Sequence, residues 1–149
     1  MVSVVGFAVT IWQLLRTKRS VDAANDAAAA LRSRISSQTA TMHAAAAIAR
    51  IKAAKRELRS KEWAAAQVVL EELRQSLLIV ERRKHITSEK VVDELPSYLK
   101  DLLDYVDYID RLGESEPVAE RQKKRMLTRL NELSNLLEKI ADDLSENVQ

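Results

Sequence analysis

The sequence predicts an all-α protein: an antiparallel three- or four-helix bundle with coiled-coil-like seams, preceded by an apolar N-terminal helix. Three observations carry this. The 149 residues include only two glycines and two prolines, too few turn residues for a chain of strands. The chain is rich in Ala, Glu, Lys, Leu and Arg, with 31% charged and 46% hydrophobic residues, a balance that suits long amphipathic helices. Apolar residues then recur at alternating spacings of three and four, the period of one helix face. Only six residues are aromatic (Phe7, Trp12, Trp63, Tyr98, Tyr105 and Tyr108), so the core has to be built from Leu, Ile, Val and Ala.

The first element is residues 1–19, an apolar segment with a basic flank. Met1 to Leu15 carry no charge, and Arg16, Lys18 and Arg19 follow at once. An apolar run closed by cations resembles a membrane segment with its positive-inside flank. Fifteen helical residues span about 22 Å, less than the roughly 30 Å of bilayer hydrocarbon. Four readings compete: a short span that thins the bilayer, a segment lying in the interface, the end of a longer native span, or a buried core helix. Trp12, Arg16, Lys18 and Arg19 are the residues expected to position it. The localisation expected is the inner membrane, N-terminus outside and bulk cytoplasmic, with a cytoplasmic protein as the alternative.

Residues 20–39 read as a helical stalk, with Val21, Ala24, Ala28, Leu31 and Ile35 as its seam. Ser36, Ser37, Thr39 and Thr41 compete for backbone hydrogen bonds, which predicts a bend or turn there. Residues 40–149 are the expected bundle. Its first helix runs from about Ala40 to Arg59, with Ala44, Ile48, Ile51 and Leu58 on one side. Ser60-Lys61-Glu62 is a turn. Trp63, Ala66, Leu70, Leu73, Leu77 and Val80 form a heptad seam, ended by Glu81 to His85. Thr87 or Ser88 caps the next helix, whose seam is Val92, Leu95, Leu99, Leu102, Val106 and Ile109, flanked by Val91, Tyr98, Tyr105 and Leu112. Pro96 should kink that helix or start it late. Gly113 stops it; Ser115 and Pro117 open the last helix, with Met126, Leu130, Leu133, Leu137, Ile140 and Leu144 as its seam.

Charge is uneven. Residues 16–61 hold eleven Lys/Arg against three Asp/Glu, and residues 62–149 hold thirteen against nineteen. Arg50, Lys52, Lys55, Arg56, Arg59 and Lys61 are a candidate face for anionic lipid or nucleic acid. A solvated helix face explains them more simply, because no aromatic residue is interleaved to stack a base. Arg121, Lys123, Lys124 and Arg125 stand early in the last helix, where the dipole disfavours cations, so a phosphate or acidic partner is an open reading there. Asp101, Asp104, Asp107 and Asp110 spiral about the helix at a spacing of three, a poor cage for a metal.

Catalytic types are scarce. There is no cysteine, and His43 and His85 are the only histidines. Neither sits in a zinc spacing, and Glu81 with His85 reads as a helix-end pair. There is no Glu-x-x-His pair, phosphate loop or nucleophile constellation. The expectation is a protein that is not an enzyme, with no cofactor and no metal.

The segment Val5-Gly6-Phe7-Ala8-Val9-Thr10-Ile11-Trp12-Gln13-Leu14-Leu15-Arg16-Thr17-Lys18, the Ala-rich Val21 to Ala30, and Leu58 to Leu78 with Trp63-Ala64 together resemble a loose group of uncharacterised bacterial proteins. These have one N-terminal membrane segment and a small helical cytoplasmic part. The resemblance implies a bacterial, membrane-proximal helical protein and carries no activity.

The function expected is therefore a non-enzymatic, membrane-tethered helical bundle acting as a scaffold or protein-interaction module, with membrane lipid and a protein partner or a second copy as its partners. One alternative is a soluble nucleic-acid or anionic-ligand binder. Another, which rests on the resemblance alone, is a small membrane component of a bacterial stress or phage-defence assembly.

Overall fold

The computed structural model describes residues 2–82, 93–112 and 118–146, with side chains from Ala8 onward. Among these, four helices are found: α1 (Val2–Arg59), α2 (Trp63–Glu81), α3 (Leu95–Leu112) and α4 (Glu120–Glu146). The chain divides into two compact units, Met1–Ile35 and Ser36–Gln149, and α1 contributes to both.

The second unit is a helical bundle around one core. Residues 36–59 of α1 contribute Ala40, Ala44, Ala47, Ile51, Ala54 and Leu58, all buried. The alanines keep the side chains on this face short, so neighbouring backbones can approach closely. α2 buries Ala66, Leu70, Leu73, Leu77 and Val80, and α4 buries Met126, Leu130, Leu133, Leu137, Ile140 and Leu144. In α3 the buried line is Leu95, Tyr98, Leu102, Tyr105 and Ile109, so the tyrosines stand in the seam while Leu99 and Val106 are half-buried against it.

Polar contacts join the helices around this core. Ser37 Oγ donates to the Leu144 carbonyl at 3.3 Å, and Lys55 Nζ donates to Asn131 Oδ1 at 2.7 Å. Arg50 reaches α2, donating to Ser76 Oγ at 2.8 Å and facing Glu72 at 3.6 Å. Gln67 of α2 donates to Asp110 of α3 at 3.4 Å. No buried side-chain nitrogen or oxygen lacks a partner among the described residues, as a well-formed interior requires.

Two expectations need correction. No turn interrupts residues 36–41, which are helical throughout. The hydroxyls that would compete with the helix are used within it and across the core: Thr41 Oγ1 donates to the Ser37 carbonyl at 3.0 Å, and Ser37 reaches Leu144. The transmembrane helix also fails, because no helix among the described residues is long and apolar enough to cross a membrane. Arg16, Lys18 and Arg19 end the apolar run after fifteen residues and the helix simply continues through them.

The helix ends show what the sequence leaves implicit. α1 closes with a left-handed residue, Lys61, at φ 60°. Lys61 N donates to the Leu58 carbonyl at 3.4 Å and Glu62 N to the Glu57 carbonyl at 3.0 Å. This is a Schellman closure with lysine where glycine is usual. Pro96 stands second in α3, so the helix starts late and is not kinked, and proline costs nothing in a first turn whose N–H groups lack partners anyway. Thr87, Ser88, Val91, Val92, Gly113, Ser115 and Pro117 lie outside the described residues.

Candidate functional site: an exposed helical arm

Every described side chain from Ala8 to Ile35 is exposed. For a hydrophilic helix that would be unremarked. Here it includes Val9, Ile11, Trp12 (60%), Leu14 (64%), Leu15, Val21, Leu31 (58%) and Ile35. Scattered apolar surface is ordinary, whereas contiguous apolar surface marks a place where something binds.

Geometry within the arm is local. The Arg16 guanidinium lies over the Trp12 ring at 5.5 Å, one helical turn on, so the indole and the first cation form a single amphipathic group. Thr17 Oγ1 donates to the Gln13 carbonyl at 2.9 Å, which satisfies the hydroxyl. Arg16, Lys18 and Arg19 are all exposed beside the apolar turns. The four residues expected to position the segment therefore sit within two turns of one helix.

The basic face from Arg50 to Arg59 is dispersed by the fold. Arg50 is engaged with Ser76 and Glu72, and Lys55 with Asn131. Arg56 pairs with its neighbour Glu57 at 2.7 Å. Lys52 and Arg59 are exposed. Much of this charge works between helices.

A second cluster, which the sequence does not single out, joins α3 to α4. Arg129 donates to Asp101 at 2.7 Å, Glu132 at 2.8 Å and Ser97 at 3.1 Å, and its guanidinium lies 4.2 Å from the centroid of the Tyr98 ring. Burial alone would lower its pKa, but hydrogen bonds to Glu132 and Asp101 and the Asp101 charge outweigh that and hold it above the ordinary arginine value. Burial raises the Tyr98 and Tyr105 phenols. On α2, the Arg74 hydrogen bond holds Glu71 below the usual carboxylate range. The signal for the Arg129 cluster was present as an arginine opposite an acidic helix, but only tertiary contact shows which aspartate it meets.

Of the acidic run, Asp101 binds Arg129 and Asp110 accepts from Gln67, while Asp104 and Asp107 are exposed. His43 is half-buried and lines a shallow groove with Met42, Arg50 and Glu72; His85 is outside the described residues. Among the described residues no group of three His, Cys, Asp or Glu could hold a metal. Arg121, Lys124 and Arg125 line an open groove along the start of α4, and Lys123 pairs with Glu120 at 3.0 Å.

No family model matches the chain, and no curated protein or solved structure matches it closely enough to carry an argument.

Proposed function

We propose that the protein is a non-enzymatic scaffold held at an anionic membrane surface by its arm, with protein partners engaged by the bundle. The carrying observation is the exposed run Val9, Ile11, Trp12, Leu14 and Leu15 ending at Arg16, Lys18 and Arg19. The apolar turns would enter the near leaflet without crossing it. The Trp12–Arg16 pair suits the headgroup level, where an indole can keep one edge wet. Each cation near an anionic surface contributes about 1 kcal/mol, and a single apolar anchor needs such a second signal to hold.

The reading of the second unit as an antiparallel four-helix bundle rests on the order of its contacts. Ser37 meets Leu144 while Lys55 meets Asn131, so the pairing descends α4 as it ascends α1.

The test is co-sedimentation of the full-length protein with vesicles, with and without phosphatidylglycerol. Binding to the anionic vesicles, weakened by salt and lost in Trp12→Ala with Leu15→Ala, is the expected result. Equal recovery in the supernatant with both vesicle types would sink the proposal.

A further inference from the structure

The arm carries a second pattern, which shares only Leu14 with its apolar tip. Read in sevens, Leu14, Val21, Ala28 and Ile35 occupy one position of a heptad (a). Thr17, Ala24 and Leu31 occupy the position three residues on (d). All seven are exposed on one continuous helix. The a line is apolar throughout, and the one hydroxyl in the d line is already satisfied by the Gln13 carbonyl.

We propose that this seam pairs with the same seam of a second copy of the chain, parallel and in register. The observations favour a copy in three ways. Seam width changes along the helix: bulky at Leu14 and Val21, narrow at Ala24 and Ala28, bulky again at Leu31 and Ile35. A second copy in register meets each layer with its equal. β-Branched Val21 and Ile35 at a with Leu31 at d is the choice that selects two parallel strands. The flanking positions raise no charge conflict: in register, Gln13 faces Lys18, Ser20 faces Asn25, and Ala27 faces Arg32 of the copy. Asp22 and Asp26 lie off the seam.

Helix energetics point the same way. Helices in proteins gain most of their stability by covering an apolar face. Pairing supplies that cover and sets both apolar tips at one end, so two weak anchors would act together on one surface.

The inference rests on reading residues 8–35 as an interaction arm, and it stands without the bilayer. The chain has no cysteine, so a single introduced thiol reports one position. In sedimentation without lipid, the full-length protein is expected at twice its 16.8 kDa mass. Leu31→Asp should weaken association by at least about tenfold. Oxidised Leu31→Cys should form a covalent dimer, and Ser33→Cys, on the outer side of the seam, should not. A monomer at every accessible concentration overturns the proposal. So does a dimer insensitive to Leu31→Asp, or one that cross-links through position 33 in preference to 31. Trp12→Ala with Leu15→Ala should abolish vesicle binding and leave the dimer intact, which separates failure of one reading from failure of the other.

Discussion

Residues 8–35 and 36–59 of α1 are written in nearly the same alphabet, alanine-rich with branched apolar residues three or four apart. In the first stretch every side chain is exposed; in the second, those at 37, 40, 44, 47, 51, 54 and 58 are buried. The difference lies outside both stretches. α1 has 58 residues, and the longest of the other described helices, α4, has 27. In the second stretch most of those buried positions lie in the core shared with α2, α3 and α4, and in the first the described side chains stay exposed. Periodicity therefore specifies a helix and the face it would bury; burial itself depends on whether a complementary seam exists.

That contrast can be broken most forcefully in the bundle. Leu77→Ala or Leu137→Ala, each at a fully buried position, should cost about 2–5 kcal/mol of unfolding free energy, measured by urea denaturation. Leu31→Ala in the arm should leave the bundle's urea midpoint unchanged. An equal loss at both sites would mean that the arm is packed into the same cooperative unit. Next in size is Arg129→Ala, which strips Asp101 and Tyr98 of their partner and should cost about 1–3 kcal/mol. Arg16→Ala, the corresponding cation–aromatic pair in the arm, should cost far less because that pair is exposed.

Lys61→Gly sharpens the comparison in the other direction. A left-handed lysine is strained by roughly 1 kcal/mol, so glycine should stabilise by up to about that amount, less its own chain entropy. The smallest effect is titration. Glu71 has a lowered pKa, so its contribution is full above the unfolded carboxylate value of about 4.3 and is lost as pH falls through the lower folded value. Glu71→Gln should flatten the acid limb slightly. Tyr105 has the opposite sign: its raised phenol stabilises below about pH 10 and that contribution is lost as pH rises through the folded value, so Tyr105→Phe should soften the alkaline limb.

The bundle was largely legible because its seams are repetitive. Trp63 as a start, the Ser60-Lys61-Glu62 turn and the six-residue seam of α4 follow directly from spacing. The rotation of α3 toward Tyr98 and Tyr105 was not legible, since their rings can reach the core from a flanking position as readily as Leu99 and Val106 from a central one. Nor was the unbroken passage through Ser37 and Thr41, whose hydroxyls are neutralised partly by a carbonyl more than a hundred residues away. The basic face of α1 is half-legible for the same reason: sequence shows Arg50 and Lys55 as charges, and only the fold shows Glu72 and Asn131 beside them. The arm is legible as composition and illegible as a site, because exposure is not written in a segment's own residues.

An uncovered helix also has a lifetime. Without tertiary packing it opens locally at little free-energy cost, and Arg16, Lys18, Arg19, Arg32 and Arg34 each offer a trypsin-like protease a cleavage site when it does. A partner that covers the arm would protect those sites in proportion to its occupancy. The ratio of clipped to intact chain is thus a running record of how much of the protein is engaged, and in a cell the same arithmetic would remove the idle molecules first.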